Sequence, residues 1–459
     1  MMRPNFSRRP SRALRSALLH SLGLIAAVCV LSTSAQAVTL DDAVRKALAG
    51  NLDLRAARFE VEKARGRLIQ AGLWPNPSLE IGGRTDLIGS NEGERTVSAG
   101  FVQAFPIAGR LKFAKQVSRV DVAQAMVEIR NRERLLIGEV QRDFLTALLL
   151  RQQMATNREF IGVNRDFVNL FEQRLKKAEV SEVDVNLAQV ELQRVELETA
   201  VLDAELSARE LALKQRLGIG PTAALKLDGE LDALAGKFRP EKYHTTMVVN
   251  RPDLRLRELS VDRAQAEVRL ARAEAWQDWS FGLDYQKERT TDVPVGLSSN
   301  NFTGLKISIP LALWNRNEGR IHEQQATADQ ARQQIEALRL SIRTEIATAL
   351  AQATKLRGVV TSYQTGLLPK LANTTELLKK GYNEGLTDAT KLIQAQQQRA
   401  TLRASYLTAY TSYVQALVEL ETASGGSPFL SKDFLTDRTD RTDRTDRSAP
   451  PAKRSGNRK

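Results

Sequence analysis

The side chains best suited to binding a metal or performing chemistry in this sequence are few and far apart. Beyond residue 37 the soft or borderline ligands are His244, His322, Met126, Met154 and Met247; the single cysteine, Cys29, lies before that point. Selective capture of such a cation needs several of these groups converging, at about 2.0–2.3 Å for zinc. No two of them stand at the spacing of a metal motif. A threefold axis could gather three copies of His244 or His322, which leaves a pore-lining histidine open as an alternative to an outward-facing one. The scattered methionines read as core fillers. No Gly-rich phosphate loop and no nucleophile elbow is present. The sequence therefore calls for no catalytic residue, no cofactor and no resident metal.

What must position any functional group is a long helical framework. The chain has 459 residues and is 42% hydrophobic, 5% aromatic and 26% charged. Abundant Ala, Leu, Gln, Arg and Glu with few Gly and Pro favour long helices packed through small aliphatic side chains. Residues 1–37 read as a cleaved signal peptide. Arg3, Arg8, Arg9, Arg12 and Arg15 precede an apolar run from Ala17 to Leu31 and the small-residue site Ala35-Gln36-Ala37. The apolar run is shorter than the ~20 residues of a membrane span. Without the five leader arginines, 62 basic residues face 54 acids, a net charge of +8. Half of that lies after Ala423, so the body is only mildly basic and nucleic acid is not an expected partner. The mature chain has no cysteine and can form no disulfide.

The body repeats itself at an offset of about two hundred residues. Asn51-Leu52-Asp53-Leu54-Arg55 resembles Arg251-Pro252-Asp253-Leu254-Arg255. Gly100 to Ile107 likewise resembles Gly304 to Leu311. Residues 38–217 form a first repeat, 218–241 a connecting segment and 242–423 a second repeat. Residues 424–459, with four Thr-Asp-Arg copies, form a low-complexity, disordered tail. Each repeat reads helix, strand, loop, strand, very long helix, turn, helix. Phe281, Leu283 and Tyr285 alternate with polar neighbours, as do Leu305, Ile307 and Ile309. Leu79 and Ile81, then Val97, Ala99, Phe101 and Phe105, give a weaker version. Such alternation marks a half-buried hairpin or a membrane-facing barrel wall, and so much helix leaves little core for the former. Four strands cannot close a barrel, so several chains must contribute.

Helical lengths point the same way. From about 110 to 177 no proline interrupts the chain, and ~68 residues at 1.5 Å each give a rod of roughly 100 Å. A second rod runs from about 317 to 382, with Pro369 as its expected kink. Shorter helices over 39–73, 184–217, 242–276 and 387–423 would stack end to end in pairs to match the rods. On the helix after Asp184, Val190, Leu197, Ala204 and Leu211 recur every seven residues, as do Leu192, Thr199, Leu206 and Leu213. Two stripes let one helix pack on a neighbour at each side, although an ordinary bundle core also explains them.

Three local marks now carry a family resemblance: Trp74-Pro75-Asn76-Pro77-Ser78-Leu79, Gln103-Ala104-Phe105-Pro106-Ile107, and Gly381-Tyr382-Asn383-Glu384-Gly385 with Ala395-Gln396 downstream. In order, spacing and duplication, residues 38–423 resemble the TolC-like outer-membrane efflux proteins, and within them the CzcC-like heavy-metal cation branch. The resemblance implies a fold that is mainly α with a small β part. Long α-helical hairpins would form a trimeric α-barrel, and four strands per protomer would form a 12-stranded transmembrane β-barrel. It further implies a homotrimer in outer-membrane lipid, working with a periplasmic adaptor protein and an inner-membrane, proton-driven RND-type pump. The hairpin tips, near 178–184 and 381–387, would form a periplasmic gate. Relatives hold this gate with a tyrosine, an arginine and two aspartates. Here Tyr382 matches the tyrosine, but Thr387 stands at the arginine and Lys391 and Gln394 at the aspartates. The gate candidates are therefore Tyr382, Glu384, Asp388, Lys391, Glu182 and Asp184, with Tyr382 expected to hydrogen-bond across the hairpins and the acids otherwise simply solvated in turns.

The implied function is a passive conduit exporting heavy-metal cations, with drugs or organic solvents as the alternative cargo. Two other classes compete. A periplasmic adaptor should carry one hairpin between β-rich domains, whereas two hairpins are present. A secreted coiled coil has no need of duplicated alternating strands.

Overall fold

The computed structural model describes residues 37–86, 93–231, 251–292 and 296–425. The leader over 1–36, His244, Met247, residues 232–241 of the connecting segment and the tail from 426 lie outside the described residues. Strand β1 (Ala37–Val38) leads into helices α1 (Leu40–Gly50) and α2 (Leu52–Gln70). Strands β2 (Ser78–Thr85) and β3 (Arg95–Phe105) follow, then the 66-residue helix α3 (Arg110–Leu175) and α4 (Glu182–Leu217). After β4 (Lys226–Leu227) the second repeat supplies α5 (Pro252–Glu274), β5 (Trp279–Asp292) and β6 (Gly296–Ser308). It ends with α6 (Glu318–Ser362), a π-helical turn at Tyr363–Leu367, α7 (Leu368–Asn383) and α8 (Ala389–Ser424).

The helices form four columns side by side. Helix α3 is flanked by α2 and α4 on one side and by α5 and α8 on the other, and α6 packs against α5 and α8. The order is thus α2 with α4, then α3, then α5 with α8, then α6 with α7. The strands continue it: the sheet order β2-β3-β5-β6 is antiparallel throughout, each strand joined to the column of the same rank. The second rod, counted through α6, the π turn and α7 as 45, 5 and 16 residues, equals α3 in length.

Three expectations need correction. The helix expected over 39–73 is two, because Asn51 leaves helical geometry (φ −59°, ψ 123°) and its side chain accepts a hydrogen bond from the Leu54 amide, capping α2. Helix α1 instead docks across α3 and α4 and buries Leu40, Ala43, Val44, Ala47 and Leu48 in the central core. Its leading strand pairs in parallel with β4, a two-residue bridge at mid-height with no signature in either segment. The column halves are consequently unequal, 19 and 36 residues in the first repeat, 23 and 36 in the second. Near Pro369 the rod widens into the π turn, where the Leu368 amide donates to the Tyr363 carbonyl. That wider turn accommodates a ring that crowds the preceding turn and a nitrogen with no hydrogen to give.

The largest core sits at mid-height and joins α1, α3, α4, α6 and α8, with Phe144, Leu213, Ile342, Ile346 and Leu420 almost wholly buried. Full burial of a side chain such as Phe144 contributes about 1.5–3 kcal/mol. Of the two heptad stripes on α4, the one through Leu206 and Leu213 enters the protomer core, while Val190, Leu197 and Leu211 remain exposed. Among the described residues no helix is long and apolar enough to cross a membrane. The sheet does carry an apolar face: Leu79, Phe101, Leu283 and Leu305 form one row across all four strands and are all exposed. All four tryptophans stand where strands meet helices. Trp74 packs edge-on against Phe105, which meets Phe281 in the same way, while Trp314 is 93% exposed.

Candidate functional site

The two hairpin tips meet at the end of the columns remote from the sheet. Between α3 and α4 the chain turns through Ala178 in the left-handed region (φ 58°), and the Glu179 amide closes on the Arg174 carbonyl at 2.9 Å. Between α7 and α8 Gly385 takes that conformation (φ 74°), and the Leu386 amide closes on the Gly381 carbonyl at 2.7 Å. Phe167, Phe171, Val185, Ala188, Tyr382 and Leu392 converge behind these turns in a separate apolar cluster.

Tyr382 is inside that cluster, 4% exposed. Its ring meets Phe171 edge-on at 5.7 Å and lies beneath the Arg174 guanidinium, 4.2 Å from the ring centre. The hydroxyl makes no hydrogen bond of good geometry among the described residues, where Arg174 is its polar neighbour, so the bond expected across the hairpins is not made there. Burial raises the phenol above its ordinary pKa, and the nearby Arg174 charge offsets only part of this. The Asp184 carboxylate accepts from the Ser181 amide at 3.1 Å while Ser181 Oγ accepts from the Asp184 amide, a reciprocal cap on α4. Asp388 caps α8 by accepting from the Lys391 amide at 2.9 Å, and the Lys391 ammonium lies 3.8 Å from the same carboxylate in solvent. Glu182 begins α4 and Glu384 ends α7, both exposed. Tyr382 and the turn charges are thus close in space, but the tyrosine anchors the core while two of the acids hold helix starts.

Sequence reasoning missed Phe171 and Arg174, although Phe167, Phe171 and Arg174 follow helical i, i+4, i+7 spacing. It also missed a polar layer just behind the tip. Glu191 on α4 is buried, accepts from Arg194 at 2.7 and 3.0 Å, and accepts from Gln397 on α8 at 3.3 Å. Asn164 and Gln396 line a small crevice beside it.

A second missed group lies on the sheet. On the face opposite the apolar row, register aligns Glu80, Gly100, Asp284 and Gly304. A Cβ at Gly304 would sit 2.7 Å from an Asp284 carboxylate oxygen, so glycine leaves room for that side chain to lean across. Among the described residues no three His, Cys, Asp or Glu side chains gather as a metal site. His322 is exposed near the start of α6, Met126 is half-buried and Met154 belongs to the core.

A tip of paired helical hairpins, a duplicated chain and an open sheet with one apolar face match a single family model. That model, described as outer membrane efflux protein, matches residues 43–219 and again 246–426. The chain belongs to this family. Among outer membrane efflux proteins it is 23% identical over 395 residues to the cobalt-zinc-cadmium resistance protein CzcC of Cupriavidus metallidurans, covering 84% of this chain and 90% of that one. It is 22% identical over 399 residues to the cation efflux system protein CusC of Escherichia coli, covering 83% and 85%. A crystal structure of CusC superposes with a TM-score of 0.71 at 21% identity, over 84% of this chain and 92% of that one. The outer membrane channel CmeC of Campylobacter jejuni gives 0.66 at 15% identity, over 87% and 88%. The fold is that of the family's channels, and family members act as channels rather than enzymes.

Proposed function

We propose that this chain is the outer-membrane channel of a tripartite, proton-driven efflux system and a passive conduit for heavy-metal cations. The observation that carries the reading is the open-edged protomer, four strands rising from four columns with β2 and β6 left as outer strands among the described residues. Three copies would supply twelve strands and twelve columns, with the row through Leu79 and Leu305 facing lipid and the row through Glu80 and Asp284 facing the lumen. Six lumenal carboxylates at one height favour passage of cations. The names of CzcC and CusC support metal cations as cargo. The leader at 1–37 delivers the chain to the outer membrane, and the tips meet a periplasmic adaptor that joins an inner-membrane RND-type pump.

The tips form the gate, with Tyr382 as its packed pivot and Glu182, Asp184, Glu384, Asp388 and Lys391 as surrounding charges. Tyr382→Ala, which empties the space between Phe171 and Arg174, raises resting conductance in planar bilayers. Tyr382→Phe leaves it unchanged, because the hydroxyl it removes makes no hydrogen bond of good geometry among the described residues. The deciding experiment is complementation of a strain lacking its metal-efflux channel, alongside Glu80→Gln with Asp284→Asn in bilayers. Restored metal resistance and a severalfold fall in cation preference are expected. Restored drug export without metal resistance would transfer the reading to the alternative cargo.

A further inference from the structure

The two faces of the four-stranded sheet sort charge differently. The face of Glu80 and Asp284 mixes both signs, with Arg84, Glu288 and Lys306 on it as well. The face of the apolar row carries no acid on any of the four strands. Its charges are Arg95, Lys287 and Arg289, and all three stand toward the strand ends remote from the helical columns. Register sets Arg95 directly opposite Arg289 and Val97 opposite Lys287, so the three cations are near neighbours. Arg95 and Lys287 are exposed and Arg289 is half-buried. None of the three forms an ion pair among the described residues. Ser299 stands opposite Arg289 and Asn301 opposite Lys287 on the same face, and Asn301 accepts from the Tyr285 hydroxyl at 3.0 Å.

Like charges directly opposite each other on neighbouring strands repel. Two arginines in register, with a lysine beside them and no acid on that face, leave a concentrated positive charge for an anion from outside the chain. Their height says which anion. Ten residues separate Trp279, at the collar, from Arg289. That is about 34 Å along the strand, and about 25 Å along the membrane normal at the usual barrel tilt of about 35–45°. The apolar band of a membrane barrel is about that tall. The cations therefore stand at headgroup level in the leaflet farther from the columns, which is the outer leaflet when the columns lie in the periplasm.

We propose that Arg95, Lys287 and Arg289 form a binding site for the phosphate of an outer-leaflet phosphoglycolipid. Arginine pairs bidentately with phosphate oxygens, and the Lys287 stem can follow the apolar wall while its ammonium reaches the headgroup. Ser299 and Asn301 supply hydrogen-bonding groups for the sugar, and Phe101, Leu283 and Tyr285 lie along the acyl chains. The occupant is a lipid and not a free anion because the cations run straight on from the apolar row: Phe101, Leu283 and Tyr285 are exposed below them on the same two strands. Those strands, β3 and β5, are the inner pair of the sheet, so the site is complete within one protomer. The inference rests on the reading above that this face meets lipid, and adds which lipid it meets and where.

The test is native mass spectrometry of the full-length protein, purified from membranes in detergent and titrated with bisphosphorylated lipid A. Bound lipid should survive millimolar inorganic phosphate, and lipid A stripped of its phosphates should not bind. Arg95→Gln with Lys287→Gln and Arg289→Gln should weaken binding at least about tenfold, since each basic residue near an anionic lipid surface contributes to the attraction. Arg84→Gln with Lys306→Gln, on the opposite face, should leave binding unchanged. Far-ultraviolet circular dichroism checks that each variant is folded, and Arg289→Gln alone, expected to give a severalfold loss, carries the test if the triple variant does not fold. Undiminished binding by the folded variants, or equal binding of the phosphate-free lipid, would overturn the site while channel conductance in bilayers left the proposed function standing. Displacement by inorganic phosphate would overturn the lipid as occupant. Loss of binding in the Arg84 and Lys306 variant instead would overturn both the site and the assignment of the lipid-facing side.

Discussion

At the joint of the first repeat the Asn51 side chain donates a 3.0 Å hydrogen bond to the Arg216 carbonyl, tying α2 to the end of α4. At the corresponding joint of the second repeat Arg251 donates a 3.0 Å bond to the Ala423 carbonyl, tying α5 to the end of α8. Both residues sit at the start of the upper half-helix and both satisfy a carbonyl the lower half-helix leaves open. Their surroundings differ. The first joint closes backbone on backbone: a Cβ at Gly50 would lie 2.6 Å from the Leu217 carbonyl oxygen, and one at Gly218 would overlap Gly50 itself. Charges near it, Arg216 with Asp143 at 2.5 Å and with Glu139 at 2.6 Å, bind α4 to α3 rather than the column halves to each other. The second joint is filled by charge. Arg251, only 6% exposed, pairs with Asp253 at 2.5 Å and Glu345 at 2.7 Å, and Arg134 donates to the Thr422 carbonyl at 2.7 Å. Burial and the neighbouring Arg251 charge lower the Arg134 pKa, while its two arginine neighbours hold Asp253 below the ordinary carboxylate range against the opposing effect of burial. The repeats thus share the place of the latch, with close approach enforcing it in one and ion pairing in the other.

The largest expected effect comes from Arg251→Ala. It leaves Asp253 partly buried with only Arg134, at 3.6 Å, as a partner and removes the donor to the Ala423 carbonyl, and breaking such a buried pair costs about 3–5 kcal/mol. Thermal melts of the detergent-solubilised protein should show it. An equal loss from Asn51→Ala would erase the distinction between the joints, since removing that cap should cost only ~1 kcal/mol. Gly218→Ala ranks between them. Its left-handed φ of 70° costs a side chain about 1–2 kcal/mol, and overlap with Gly50 adds about 1–3 kcal/mol. The same melts would sharpen the comparison if Gly218→Ala were rescued by no change of pH or salt.

The smallest effect is on pH. Because the folded state holds the Asp253 carboxyl below its unfolded value, its contribution is complete above that value, about 3.9. It is lost as pH falls through the lower folded value. Hydrogen exchange corrected for intrinsic rates should therefore be level at 252–256 from pH 7 to 5 and rise below pH 4. Exchange at 52–56 should stay flat across the whole range.

Much of this framework is legible in the sequence because periodicity reports local geometry directly. The alternation at Leu79, Phe101, Leu283 and Leu305 gave the strands, and the proline-free run after Arg110 gave the longest helix. The break at Asn51 is also written there, as Gly-Asn followed by Leu-Asp-Leu, yet helical periodicity on both sides conceals it. The candidate site is less legible because its groups meet only through tertiary packing. Tyr382 is a surface tyrosine by its turn and a core tyrosine by its contact with Phe171, two hundred residues earlier. Asp184 is a gate charge by position and a helix cap by its bond to Ser181, which the Ser-x-x-Asp pattern could have announced. Glu80 and Asp284 share a row only because strands of both repeats pair in one register.

The tryptophans give the molecule an unplanned optical property. Trp74, Trp276, Trp279 and Trp314 all lie at the collar between strands and helices, and neither the joints nor the tips hold an indole. Intrinsic emission consequently reads a single plane. If the collar and the helical columns lose structure at different temperatures, emission will follow the former and far-ultraviolet ellipticity the latter, and the gap between the two curves will measure how tightly the barrel wall and the columns are coupled.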